Sequence, residues 1–148
     1  MIEETTKRDL NKIVELKLRM FQEAGVDDNL TTNIYDNILD YYSHLYEKDR
    51  MKHFCLKENN KIIACAGGFI KDDIPYCFFE PYYYGFIGDV YTAKEYRNNG
   101  YATKLTKEVI RWLKDKNGKT IRLLTSKEGR SIYKKLGFKN TDEMYLEI

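Results

Sequence analysis

The chain contains few residues of the types that most metal, disulfide and hydrolase sites need. Only two His and two Pro occur among 148 residues, and the three Cys, Cys55, Cys65 and Cys77, form no Cys-x-x-Cys pair. An odd cysteine count without tight spacing argues against a disulfide framework and against zinc. We therefore expect ordinary core cysteines and no metal. Cys77 is conceivable as a nucleophile, but no nearby Cys-His pair suggests its activation.

Long apolar runs and a strong charge of either sign are also missing. No stretch approaches 18 uncharged apolar residues, and the first residues, Met-Ile-Glu-Glu, lack the basic and then apolar order of a signal peptide. The 25 Lys and Arg against 23 Asp and Glu leave a formal charge of +2. These features predict a cytoplasmic protein that binds neither nucleic acid nor membrane.

Tyrosine, by contrast, is abundant, with 13 residues in a chain that is 43% apolar. A chain of this length should bury roughly 70% of its unfolded surface, so it can form a core without disulfides. We find no linker, repeat or low-complexity tract. Residues 1–148 are therefore expected to form a single domain.

The periodicity of apolar residues predicts an element order of β α α β β β α β α β. The predicted strands are residues 2–5, 52–56, 62–70, 84–91, 120–125 and 144–148, and the predicted helices are residues 6–25, 31–48, 100–117 and 128–136. Thr6 and Asp9 resemble a capping box at the first helix. The strand–helix–strand succession implies a parallel pair and the hairpin an antiparallel one, which predicts an α/β domain of mixed α+β character with a mixed sheet.

The segment from Val90 to Ala102 is the most informative part of the sequence. A predicted strand leads there through a Gly-containing turn into the first turn of a helix, where backbone N–H groups and the helix dipole favour an anion such as a diphosphate. Gly100 lets the backbone approach phosphates closely. The pattern Arg-x-x-Gly-x-Ala is weak by itself, and a plain strand-to-helix turn is the alternative.

Two motifs together resemble those of a known family. Arg97 to Ala102 resembles the (Gln/Arg)-x-x-Gly-x-(Gly/Ala) acyl-CoA signature of the GNAT superfamily of N-acetyltransferases, and residues 129–138 resemble its second signature, a short Tyr-bearing helix ending in Leu-Gly-Phe. The resemblance spans the chain and is strongest over residues 86–140. It implies a mixed, mostly antiparallel sheet with a splayed central parallel strand pair flanked by helices. A dinucleotide fold is excluded because its Gly-x-Gly-x-x-Gly turn is absent.

The resemblance also implies acetyl-CoA as co-substrate and assigns residues to it. The exposed backbone of a splayed strand would hold the pantetheine arm and the thioester, the turn would hold the diphosphate, and polar residues after the next strand would contact the arm. These positions are Val90, Tyr91 and Thr92 for the strand, Arg97, Asn98, Asn99, Gly100, Tyr101, Ala102 and Thr103 for the turn, and Thr125 and Ser126 for the arm.

Direct acetyl transfer needs a base for the amine, a donor for the thioester oxygen and an acid for the leaving thiolate. We expect Asp89 as the base, with Glu80 as second choice, and the N–H of Tyr91 as the donor. Tyr133 occupies the position of the family's proposed general acid. A carboxylate at a strand end is more often solvated or paired, and Tyr133 is alternatively a packed aromatic.

The acceptor is expected to be an amine of a small molecule, bound by the segments that the family uses for its pockets. Residues 27–46 and 73–84 are rich in Tyr and Phe and contain Glu80 and several Asp, which would suit a cation. The alternatives are a protein or peptide N-acetyltransferase, a non-catalytic acyl-CoA-binding sensor, and a protein-interaction domain. His44 and His53 are expected to be packed or exposed, and the protein to be a monomer or homodimer.

Overall fold

The computed structural model describes residues 1–75 and 78–148, so Tyr76 and Cys77 lie outside the described residues. The strands are β1 (Ile2–Glu4), β2 (Met51–Glu58), β3 (Lys61–Asp72), β4 (Tyr83–Thr92) and β5 (Ile121–Leu123). The helices are α1 (Leu10–Glu23), α2 (Ile34–Glu47), α3 (Tyr101–Asp115) and α4 (Arg130–Lys135). This order confirms the predicted succession up to α4.

The five strands form one mixed sheet in the order β1-β2-β3-β4-β5. Neighbouring strands are antiparallel except β4 and β5, which are parallel. The parallel pairing runs only from Gly85 opposite Ile121 to Ile87 opposite Leu123, so the last residues of β4 diverge from β5. The predicted mixed, mostly antiparallel sheet with a splayed parallel pair is therefore confirmed.

Helices cover both faces of this sheet, because each has an apolar stripe at helical spacing. α1 and α2 bury Ile13, Val14 and Ile38 on one face. α3 buries Leu105 and Val109 on the other. The amide of Thr6 donates to the carboxylate of Asp9 at 2.9 Å, which confirms the predicted capping interaction before α1. Cys55 and Cys65 are buried free thiols, as expected.

The predicted last strand at residues 144–148 is wrong. Those residues have no strand pairing, and Met144, Tyr145, Leu146 and Ile148 are exposed. Alternating apolar residues indicate that a segment can form a strand, but a strand also needs a neighbouring edge to accept its hydrogen bonds. Which edge a segment reaches is not encoded in its own pattern.

The longest helix, α3, has 15 residues. In the described part of the chain, no helix combines the length and apolar character that crossing a bilayer requires.

Candidate functional site

A β-bulge in β4 turns the side chain of Asp89 into the protein interior. Cys65 of β3 pairs with Tyr91 and Gly67 pairs with Gly88, so two residues of β4 oppose one of β3. Asp89 consequently has a φ of +54°, in the left-handed region that non-glycine residues rarely adopt. Its side chain is 2% exposed. Unusual backbone of this kind is concentrated at functional sites.

Three side chains from other elements hold the Asp89 carboxylate. Lys17 of α1 donates to it at 2.5 Å, Tyr42 of α2 at 2.5 Å, and Nε2 of His53 on β2 at 2.9 Å. Burial by itself would raise the pKa of Asp89, but the hydrogen bond from His53 and the charge of Lys17 outweigh it and hold the pKa below its ordinary value. Asp89 is thus a buried anion with every neighbour donating to it.

The same cluster fixes the protonation of its members. Burial, followed by the charge of Asp89, raises the pKa of Tyr42, so its hydroxyl remains a donor. Because an ionised carboxylate only accepts, Nε2 of His53 must carry its proton, and His53 itself is fully buried. A Cβ on Gly67 would lie 2.5 Å from Nε2 of His53, so this glycine makes room for the ring.

A cavity of about 410 Å³ lies between α1 and α2 on one side and β3 and β4 on the other. This is within the range of small-molecule sites. Its lining is mainly apolar and aromatic, with Asp89 and two lysines as its charged residues. The lining residues are Lys17, Asn37, Ile38, Tyr41, Tyr42, Leu45, Phe69, Ile70, Lys71, Phe86, Gly88 and Asp89.

Few of the tyrosines predicted for an acceptor pocket line this cavity. Tyr41 and Tyr42 do. The hydroxyl of Tyr46 contacts Thr5 and the amide of His53, and that of Tyr83 donates to the carbonyl of Lys116. The aromatic character of the cavity comes equally from two phenylalanines of the sheet, which the loop-based prediction did not include.

Two of the acidic residues predicted to attract a cation are engaged elsewhere. Asp73 pairs with Arg122 at 3.1 Å. Glu80 accepts from the hydroxyl of Tyr82 at 2.9 Å. Among the described residues, Asp89 is therefore the carboxylate that lines the cavity, and Lys17 already neutralises it.

The backbone of β4 beyond the bulge alternates in the direction of its N–H groups. The amide of Ala93 donates to the carbonyl of Ile63 on β3 at 2.9 Å. Backbone N–H groups alternate in direction along an extended strand, so the N–H of Tyr91 also points to β3. Those of Val90 and Thr92 point to the opposite edge, where β5 has diverged. The N–H of Tyr91, which was predicted to donate to the thioester oxygen, therefore points to β3, whereas the N–H groups of Val90 and Thr92 point to the open edge.

Hydrogen bonds of Arg97 and Glu23 connect β4 to the end of α1. Arg97 Nε donates to the carbonyl of Thr92 at 2.9 Å, and its guanidinium contacts Glu23 at the end of α1 at 2.5 Å. The hydroxyl of Tyr91 donates to the other oxygen of Glu23 at 2.8 Å. The hydrogen bond from Arg97 is the main cause of the lowered pKa of Glu23. Nothing in the sequence pattern identified Glu23, which lies 74 residues from Arg97.

The turn before α3 has the geometry expected of an anion site. Asn98 and Gly100 have φ values of +65° and +73°. Since α3 begins at Tyr101, the N–H groups of Tyr101, Ala102 and Thr103 have no acceptor within the helix. A Cβ added at Gly100 would meet nothing within 4 Å, so the space beside the turn is open.

The remaining predicted residues lie beyond β5. Burial raises the pKa of Tyr133, whose ring packs edge-on against Phe138 at 5.9 Å between centroids. Thr125 donates to the carbonyl of Ser126 at 2.8 Å, and Oγ of Ser126 accepts from the amide of Gly129 at 3.2 Å, which shapes the turn into α4. Tyr133 lines a second cavity of about 530 Å³ that shares no lining residue with the first.

Comparison with known proteins gives the family context of these features. The sequence model of the acetyltransferase (GNAT) family matches residues 10–138. A comparison with curated protein sequences found no match. A crystal structure of a predicted acetyltransferase with acetyl-CoA from Clostridium acetobutylicum is 28% identical, with a TM-score of 0.90 over 100% of this chain and 94% of that one.

Two further solved structures share the fold at lower identity. An aminoglycoside N-acetyltransferase in complex with CoA is 19% identical, with a TM-score of 0.76 over 100% of this chain and 93% of that one. A glucosamine-6-phosphate N-acetyltransferase from Arabidopsis thaliana is 19% identical, with a TM-score of 0.73 over 100% and 97%. Their acceptors differ in charge, so the fold alone does not decide the acceptor.

Proposed function

The chain belongs to the acetyltransferase (GNAT) family and uses acetyl-CoA as co-substrate, and on that premise we propose that it acetylates a primary amine of a small molecule bound in the α1/α2 cavity. The observation that carries the proposal is the position of the cavity. It ends at Gly88 and Asp89, immediately before the divergent strand edge at Val90 and Thr92. An amine in the cavity and a thioester on that edge would meet at the bulge.

Acetyl-CoA supplies an acetyl thioester whose leaving group, a thiol of pKa near 8.5, departs readily. The N–H groups of Val90 and Thr92 would bind its arm as an added strand does and donate to the thioester oxygen. The N–H groups of Tyr101, Ala102 and Thr103 would bind its diphosphate at the positive end of α3. Arg97 holds the turn to the strand through the carbonyl of Thr92.

The amine must be unprotonated when it attacks. Lys17 already neutralises Asp89, so this end of the cavity offers a bound amine no free carboxylate that would stabilise its ammonium form. Asp89 has a pKa below its ordinary value and accepts three hydrogen bonds, which makes it a weak base near neutral pH. In this proposal Asp89 positions Lys17 and Tyr42, and the proton that the nitrogen loses as the amide forms passes to water. The base role predicted for Asp89 is the alternative.

Tyr133 remains the proposed acid for the thiolate. Its raised pKa keeps the phenol protonated at neutral pH, as a proton donor requires. Because the thiolate is already a good leaving group, the expected contribution is modest, about 10- to 1,000-fold in rate. Thr125 and Ser126 are proposed to contact the cofactor arm beside it.

The test combines binding with turnover. Saturating acetyl-CoA at about 100 times its dissociation constant should stabilise the protein by about 2.7 kcal/mol in a thermal melt. A mass-spectrometric screen over amino acids, amines, aminoglycosides and peptides should then yield acetylated product with stoichiometric release of CoA thiol. Binding without product from any amine would identify an acyl-CoA sensor, and product from peptides alone would identify a peptide acetyltransferase. No thermal shift would overturn the proposal.

A further inference from the structure

From the charges of the α1/α2 cavity we infer that the acceptor carries an anionic group at some distance from its amine, joined to it by an apolar body. This inference rests on the proposed function, because it assumes that the cavity holds the acceptor. It concerns which amine the enzyme selects. The acceptor inferred here carries an anionic group, whereas the sequence predicts an aromatic and acidic pocket for a cation.

One end of the cavity carries no net charge. The Asp89 carboxylate and the Lys17 ammonium lie 2.5 Å apart, and the remaining partners of Asp89, Tyr42 and His53, are hydrogen-bond donors. A second cation at this end would have to displace Lys17 from a buried carboxylate. Displacement of a partner from a buried ion pair is unfavourable, so Asp89 is not a site for a substrate ammonium group.

The other end of the cavity carries a positive charge. Nζ of Lys71 lies 4.0 Å from the ring centroid of Phe86, above the cavity lining. No carboxylate in residues 1–75 and 78–148 lies within 4.0 Å of that ammonium group, and the nearest acids along the chain, Asp72 and Asp73, pair with Arg50 and Arg122. The cavity therefore has a net positive charge, located at Lys71.

The wall between the two ends is apolar. Phe69 and Phe86 from the sheet face Ile38 and Leu45 from α2. Asp89 lies three positions after Phe86 on β4, which corresponds to about 10 Å of strand. An acceptor that fills this space would present its amine at the bulge, its apolar body to the phenylalanines and its anion to Lys71.

These requirements describe an ω-amino acid or a comparable amine with a remote carboxylate or phosphate, and they disfavour polyamines and aminoglycosides. Such cations would meet two lysines and no unneutralised carboxylate among the described lining residues. An anion within hydrogen-bond reach of a lysine gains a charge-assisted contact.

The experiment compares matched amines with the wild-type enzyme and acetyl-CoA. We expect kcat/KM for ε-aminocaproate to exceed that for hexamethylenediamine, its dicationic counterpart, by about tenfold or more. Lys71→Met should remove most of this preference, and Lys71→Glu should reverse it. Lys61→Met, at the exposed start of the same strand, is the control and should leave the preference intact.

The outcomes separate this inference from the proposed function. Acetylation of both amines without a preference for the carboxylate, or a preference that Lys71→Glu leaves unchanged, overturns the inference and leaves the acetyltransferase standing. A preference for the diamine or for kanamycin likewise overturns it. If no amine is acetylated although acetyl-CoA binds, the proposed function fails and the inference fails with it.

Discussion

The carboxylate of Asp89 lies 2.5 Å from the ammonium group of Lys17, although 72 residues separate them in the chain. The two side chains come from different layers, since Lys17 is on α1 and Asp89 is at the bulge of β4. Their contact connects α1 to β4, the strand proposed to bind the cofactor. It also removes the acidic charge from the cavity where the acceptor is proposed to bind.

Asp89→Asn should lower the free energy of unfolding by about 3 kcal/mol, because it leaves Lys17 without its buried counter-charge. Urea unfolding near neutral pH measures this loss. Glu4→Gln is the control, since Glu4 pairs with Lys52 at the surface and its loss should cost less than about 1 kcal/mol. A loss for Asp89→Asn as small as that of the control would contradict a stabilising role for the buried pair.

The contribution of Asp89 should also depend on pH in a defined direction. Its folded-state pKa lies below the unfolded-state value of about 3.9, so the contribution is complete above that value and is lost as the pH falls through the folded-state pKa. The difference in unfolding free energy between wild type and Asp89→Asn should therefore shrink between about pH 6 and about pH 3. Equal differences at the two pH values would show that the folded-state pKa is not lowered.

Gly100→Phe should abolish acetyl-CoA binding while the protein remains folded. The side chain would occupy the open space beside the turn, where the diphosphate is proposed to bind. Gly25→Phe is a matched control because Gly25 has a φ of +71° and open space beside it, so the backbone strain is the same. Calorimetric titration with acetyl-CoA distinguishes them, and equal binding by both variants would refute the assignment of the turn.

Glu23→Gln should raise KM for acetyl-CoA by about three- to tenfold, because Arg97 and Tyr91 lose the shared partner that holds them beside β4, the strand proposed to bind the cofactor. Steady-state kinetics with acetyl-CoA as the varied substrate measure the change. Glu108→Gln breaks a surface pair with Arg111 of similar length and should leave KM unaltered. An unchanged KM in Glu23→Gln would mean that the hydrogen bonds of Glu23 with Arg97 and Tyr91 do not affect acetyl-CoA binding.

Tyr133→Phe should reduce kcat by about 10- to 1,000-fold with little change in acetyl-CoA binding, since only the proton of the hydroxyl is removed. Single-turnover rates with a fixed amine provide the measurement, and Tyr145→Phe in the exposed C-terminal segment is the control. Full turnover by Tyr133→Phe would show that water protonates the thiolate and that Tyr133 serves packing against Phe138.

Features that are local along the chain could be predicted from the residue pattern. The apolar periodicity located β1 to β5 and α1 to α4, because a helix or strand must present one apolar face whatever it packs against. Arg97 to Ala102 likewise indicated the turn that is proposed to bind the diphosphate, since a glycine with positive φ and the first N–H groups of a helix lie within one short segment. The same locality explains the wrong strand at residues 144–148, whose alternation specifies no partner.

The net charge of the site and the geometry of its hydrogen bonds depend on the fold. The sequence shows Asp89, but only the fold shows that Lys17, Tyr42 and His53 surround it, because those residues come from three other elements. The bulge and the register opposite β3 direct the N–H of Tyr91 to β3 and those of Val90 and Thr92 to the open edge, which composition does not reveal. Glu23 likewise contacts Tyr91 and Arg97 only because the fold brings α1 next to β4. Coulomb and hydrogen-bond energies depend on distances in space, and folding sets those distances independently of separation along the chain.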